Sequence, residues 1–394
     1  MRHVLRLLLP ILLAAGPAMA FEDPPVVSAE SVLGAQARGP NYTVESEVGS
    51  DGLLRLFQMR TAFGTYDIAG EGLMRERIRE MAALRKLQAM SESDVFVKSL
   101  GQAAAAPLKF GSDLITAPGA TLKRSASGLA NMFDRVGSAM SNESANRDSV
   151  AGSVLGVDSA RRQLAVQLGV DPYTDFPPLS AKLQDIATAS AFGGLSMKGL
   201  MMAIPGGAGV VVSSASTADT IRSTLAEKTS SQIVDKVRGT LARLKVPGAT
   251  IARFVDNRVY TPTDLLLMSE ALAKLKSANS GLFLARAAEA STREEAYFQR
   301  RRAILLASNA KSLGIGPFVG VGGFPLNRLS DGRLIALFPL DELAWTERVA
   351  TLFNRVQGIG GAGGGAPVLA LTGTVTPMAE AEIMKLGWTI ERLR

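Results

Sequence analysis

The spacing of apolar residues changes twice along the chain, which divides it into three stretches. Between residues 42 and 48 apolar and polar positions alternate through Tyr42, Val44 and Val48, the period of a half-buried strand. A turn at 49–52 leads to a second strand expected at 53–61 and a third at 65–69. Behind a proline-containing lead, residues 21–70 thus predict a small antiparallel β-meander. Three strands are close to the minimum for a stable sheet, so this one needs a neighbour to pack on.

From residue 71 the period lengthens to that of a helix. Met74, Ile78, Met81, Leu84 and Leu87 form one stripe over 71–90, with Glu71 and Arg75 paired four residues apart on the wet side. Helices are expected over 91–106 and 118–140, from an Asp158 cap through Leu168, and from Pro177 or Pro178 after a turn at 171–175. Caps at Ser216 to Asp219, Thr261 to Asp264 and Ser291 to Glu294 mark three more, and Val234, Val237, Leu241 and Leu244 supply a further stripe. Residues 71–313 read as one multi-helix domain holding most of the core.

After Gly314 short strands alternate with helices: strands at 318–321 and 334–338, a helix at 340–356, a Gly-rich connector at 357–366, a strand at 367–371, a helix from Thr376 and Pro377 to Gly387, and a strand at 388–393. This predicts a small α/β unit over 314–394 with at least one right-handed crossover. The fold class is α+β, mainly α-helical.

Composition enters through the first twenty residues. Arg2 and Arg6, an apolar run at 7–15 and the small-x-small end Ala18-Met19-Ala20 have the form of a signal peptide cleaved between Ala20 and Phe21. Cleavage removes His3, the one histidine, and the chain has no cysteine. The mature protein then cannot assemble a Ser-His-Asp or Cys-His nucleophile, an imidazole or thiolate zinc site, or a disulfide. Export without cysteine predicts a periplasmic or secreted protein of a bacterial envelope. Lys and Arg number 43 against 36 Asp and Glu, and loss of Arg2 and Arg6 leaves an excess of five. That charge is scattered, with Arg161-Arg162 and Arg300-Arg301-Arg302 the densest clusters and no interleaved aromatics in either, which speaks against nucleic acid and for an anionic membrane surface or an envelope protein as partner.

Four motifs bear on chemistry. Ser308 and Lys311 have the Ser-x-x-Lys spacing of a lysine-activated serine nucleophile, with Ser277 and Asn279 as a companion pair in the wrong chain order. Thr372, Gly373, Thr374 and Thr376 stand between a strand end and a helix start, where amides and hydroxyls receive anions. Asp171 and Asp175 flank Tyr173 in a turn with oxygen ligands for a hard cation, without the dense spacing of a calcium loop. The run 189–213, with Lys198, Met201, Met202, Pro205, Gly206 and Gly207, reads as a buried hairpin at the centre of the helical domain or, alternatively, as a membrane-inserting hairpin with a basic rim. Gly358 to Gly363 matches a dinucleotide-binding glycine pattern, but a helix precedes it and a strand follows, the reverse of what phosphate binding needs. No cofactor or metal is called for. The residues point to an exported, non-enzymatic envelope protein with a binding or structural role at the membrane surface; the alternative is a histidine-free serine hydrolase using Ser308 and Lys311.

Overall fold

The structure is a computed structural model that describes residues 21–93, 96, 156–193, 217–356 and 365–393. It is an α+β fold, mainly helical, with twelve α-helices, an antiparallel N-terminal sheet and a mixed C-terminal sheet among the described residues. The signal segment, the helices expected within 97–155, Lys198 to Gly207 and connector residues 357–364 lie outside the described residues.

The N-terminal sheet is built around β5 (Arg55–Thr61), which pairs antiparallel with β6 (Gly64–Ala69) on one side and with β3 (Tyr42–Val44) and β4 (Glu47–Ser50) on the other. The lead is not plain coil: it adds β1 (Val27–Ser28), α1 (Ala29–Leu33) and β2 (Arg38–Gly39). Val44, Val48, Phe57, Met59 and Ile68 project from one face, as the alternation requires, and bury against Leu73, Met74, Ile78 and Met81 of α2 (Glu71–Ser91). α3 (Val157–Gln167) and α4 (Pro177–Gly193) complete this cluster with Leu164, Leu179 and Leu183. Asp158 is not the cap of α3: Gly156 holds the N-cap position in the left-handed conformation, and Asp158 is buried in the first turn.

The helices α5 (Thr217–Glu227), α6 (Ser230–Arg243), α7 (Gly248–Val255), α8 (Pro262–Leu275), α9 (Ser280–Ala287) and α10 (Arg293–Asn309) form a second cluster. The Thr261 and Asp264 capping box opens α8 as its spelling predicts. At α10 the cap sits one residue later than expected, with Thr292 accepting from the Glu295 amide and Glu295, not Glu294, reaching back to the Ser291 amide at 2.7 Å.

The C-terminal sheet has the order β13-β11-β9-β8-β7. β7 (Ile315–Val321), β8 (Phe324–Leu329) and β9 (Leu334–Phe338) are antiparallel, whereas β9, β11 (Val368–Leu371) and β13 (Thr389–Arg392) are parallel. Period two divides the sheet between two cores. Ile335, Leu337, Val368 and Ala370 face the helices α5–α10. Leu334, Ala336, Leu369 and Leu371 face α11 (Glu347–Asn354) and α12 (Pro377–Lys385) with Val349, Ala379, Ile383 and Trp388. The helix expected at 340–356 is shortened, because Glu342 and Leu343 form strand β10 against β12 (Thr374–Val375) and Thr346 caps a helix beginning at Glu347.

Several contacts join the first and last parts of the chain, and one of them starts a helix. Gly70 precedes α2 without a side-chain cap, and the Asp341 carboxylate supplies one, accepting from the Glu71 amide at 2.7 Å and the Arg55 amide at 3.1 Å.

Candidate functional site

A cavity of about 500 Å³ opens where α10, the C-terminal sheet, α11 and the loop after β4 meet. Its wall is mostly apolar: Phe324 and Leu326 come from β8, Ala336 and Phe338 from β9, Leu369 from β11 and Phe353 from α11. From α10 the residues Glu295, Phe298, Gln299 and Arg302 line it, spaced three and four apart so that one helical face presents them together.

Arg302 is the unusual member. It is 2% exposed and pairs with no carboxylate among the described residues. Its Nε donates to the Leu337 carbonyl at 3.0 Å and Nη2 to the Pro325 carbonyl. The reason lies in the strands. The β8–β9 ladder covers Asn327↔Ile335 and Arg328↔Leu334, and two residues further Pro325 comes opposite Leu337 with no N–H to give. The guanidinium fills that gap in the ladder. Its carbon stands 4.5 Å from the Phe338 ring centre and 5.5 Å from that of Phe283, so aromatic faces replace counter-ions. Burial and the neighbouring Arg286 pull its pKa down to about 9. Beside it, the buried Oε1 of Gln299 has no hydrogen-bond partner.

The acids around the cavity are mostly committed. Glu289 pairs with Arg286, Asp51 with Arg348 at 2.7 Å, and Glu295 with Ser291. Glu294 stands eight residues before Arg302 on α10, about 12 Å along the helix axis.

The charges elsewhere in the core behave differently. Glu80, Arg77, Asp175, Arg293, Asp264, Arg300 and Glu76 alternate in sign along one chain of ion pairs that ties α2, the 171–175 turn, α8 and α10 together. Arg293 and Arg300 lie 2.7 and 2.8 Å from the fully buried Asp264. Burial pushes Glu80 up to about 7 against the pull of Arg77 and Thr174, and it pushes Asp171 up to about 6 against hydrogen bonds from Thr263 and the Tyr173 amide. Asp175 goes the other way: burial raises it, but Arg293 and Arg77 more than offset that and lower its pKa. Asp171 and Asp175, the candidate cation ligands, thus have Thr261, Thr263, Arg77 and Arg293 as partners.

The structure separates the other sequence-predicted residues from the cavity. Ser308 and Lys311 are exposed at the end of α10 with no hydrogen bond between them, while Ser277 and Asn279 bond the Gly316 and Phe318 carbonyls of β7. Thr372 Oγ1 donates to Leu340, the Thr374 amide to Asp341 at 3.2 Å, and Gly373 lies so close to the Leu340 and Asp341 carbonyls that a Cβ there would collide with them. Thr376 caps α12, and its hydroxyl also meets a carboxylate, that of Glu22, whose Oε1 accepts the Trp345 amide at 2.6 Å. The group that meets the Thr376 hydroxyl is thus the chain's own carboxylate, while the Ala379 amide of α12 is served by Thr376 itself.

Sequence reasoning saw Arg300-Arg301-Arg302 only as a basic cluster. On a helix three consecutive side chains point about 100° apart. Arg300 enters the ion network, Arg301 leans toward Asp341 at 3.8 Å, and Arg302 reaches the cavity. The available signal was Phe298, Gln299 and Arg302 on one face of α10, which needed the facing sheet to become meaningful. Among the described residues no helix is long and apolar enough to cross a membrane, and no group of His, Cys, Asp and Glu is arranged to hold a metal ion. Comparison of the chain with protein-family models, curated proteins and solved structures finds no match.

Proposed function

We propose that this chain is an exported, non-enzymatic protein of the bacterial envelope whose binding site is the cavity between α10 and the C-terminal sheet. The observation that carries the reading is an open cavity of about 500 Å³ whose exposed surface is mostly aromatic and aliphatic, with charged residues of α10 and α11 completing the lining. This is the size and make-up of small-molecule sites, which fall at roughly 300–1,000 Å³. The exposed, unconnected Ser308 and Lys311 lend the hydrolase alternative no support. Export rests on the signal-like segment and is read from mass spectrometry of the native protein, which should find an N-terminus at Phe21; an intact Met1 on the envelope form would remove that part of the proposal.

The cavity reading is tested with a neutral apolar dye, Nile red, on the processed protein. Wild type should bind one equivalent saturably. Ala336→Trp, which fills the cavity from β9, should abolish binding with the circular dichroism spectrum unchanged. Equal binding by both proteins would place the dye elsewhere and sink the reading. A fluorophosphonate probe should leave Ser308 unlabelled.

A further inference from the structure

We infer that the cavity takes a lipophilic monoanion, a long-chain monocarboxylate, with its head on the Arg302 guanidinium and its chain along Phe298, Phe338 and Leu369. This rests on the cavity being the binding site and adds the chemical class of its occupant.

The first argument is charge. Arg302 is a nearly fully buried cation whose protein partners are two carbonyls and two aromatic faces. A buried cation without a counter-charge is costly, and an entering carboxylate would supply the charge the protein omits. The acids nearest the opening do not supply it, since Asp51, Glu289 and Glu295 have partners of their own. Glu294, some 12 Å away by helical rise, is beyond close contact. The second argument is stoichiometry. Nε and one N–H of Nη2 are used on Leu337 and Pro325, which leaves Nη1 as the nitrogen without an acceptor among the described residues. The other cations of the lining, Arg286 and Arg348, are paired with Glu289 and Asp51, so one positive charge awaits a partner, which a monoanion balances and a dianionic phosphate exceeds. The third argument is the wall. Beyond Arg302 and Gln299 the lining near the sheet is apolar, and the Phe338 ring against the guanidinium is itself stacked on Phe298 at 6.3 Å, which extends the flat hydrocarbon surface away from the charge. A charged head with a hydrocarbon tail matches both halves at once.

The experiment is competition against Nile red on the processed full-length protein, with dodecanoate, dodecanol and dodecyltrimethylammonium below micelle-forming concentrations. Dodecanoate should displace the dye at a concentration about tenfold or more below that of dodecanol, the advantage of one charge-assisted hydrogen bond. The cationic chain should be weakest. In Arg302→Gln the dodecanoate advantage should vanish while dodecanol is unchanged, and Arg302→Lys, which keeps the charge, should retain part of it. Because Arg302 also bridges two strands, the wild-type order of the three ligands decides the matter if the variants unfold. Equal displacement by all three would overturn the anion assignment and leave the cavity reading standing. Displacement by none, with dye binding still sensitive to Ala336→Trp, would overturn the ligand class. Failure of Nile red itself to bind would bring down both.

Discussion

Two buried sets of arginines lie on the same helix and are satisfied in opposite ways. Arg293 and Arg300 share the fully buried Asp264 and extend through Asp175 and Glu76 into a network where positive and negative groups alternate. Arg302, close by in sequence, has carbonyls and rings instead. The electrostatic outcome follows. Burial depresses Arg300, but Glu76 and Asp264 more than compensate and hold it above the ordinary range, whereas burial and Arg286 bring Arg302 down to about 9. A closed network explains itself as architecture joining four elements. A cation left without a counter-charge beside a cavity does not, which is why the smaller feature carries the functional reading.

The comparison is broken most forcefully at Asp264. Asp264→Ala leaves two arginines buried with a lost partner and removes the side-chain half of the α8 capping box, so unfolding by denaturant should show a loss of about 3–5 kcal/mol. Arg302→Met removes a cation that has no carboxylate to strand and trades two carbonyl bonds for apolar contact; its stability should stay within about 2 kcal/mol of wild type. If Arg302→Met proved the more damaging of the two, the distinction between the sets would fail.

A pH titration of stability sharpens the contrast further. Glu80 moves from 4.5 in the unfolded chain to about 7 in the folded one. Between those values the folded chain holds a proton that the unfolded chain has released, so this group makes stability fall as pH rises through about 4.5–7. Asp171, at about 6, acts with the same sign, so Glu80→Gln should flatten the slope without erasing it. A slope of opposite sign that Glu80→Gln removed would contradict the burial account. The smallest effect is expected at Glu22, a carboxylate held by the Thr376 hydroxyl and the Trp345 amide, with no ion pair among the described residues. Glu22→Gln keeps an acceptor and should cost under about 1 kcal/mol in thermal unfolding, whereas Glu22→Ala should cost about 0.5–2.

Elements whose formation is local were legible in the chain. The α2 stripe, the Thr261 and Thr376 caps and the meander around β5 follow from spacing that neighbours in sequence enforce. What failed to show is instructive. The strand β8 was missed because Phe324 to Leu329, FPLNRL, has no clean alternation and begins beside a proline. The helix at 340–356 was overextended because its first residues have a better partner in Thr374 and Val375, thirty residues on. The Thr372 to Thr376 loop was read as a place for an anion, and what the structure puts against its Thr376 hydroxyl is the carboxylate of Glu22, from the other end of the described chain.

What the sequence determined by itself is therefore the α+β class, the antiparallel sheet, the α2 stripe and the Thr261 and Thr376 caps, since these depend on periods of two and 3.6 and on hydroxyls placed next to the amides they serve. Tertiary structure alone decided which way each arginine of the 300–302 triplet would turn out, that Asp341 would cap a helix 270 residues away, and that a cavity would open in front of Arg302. The physical reason is that a charge's role is set by the dielectric and the partners around it, and both are supplied by residues far along the chain that only folding brings near.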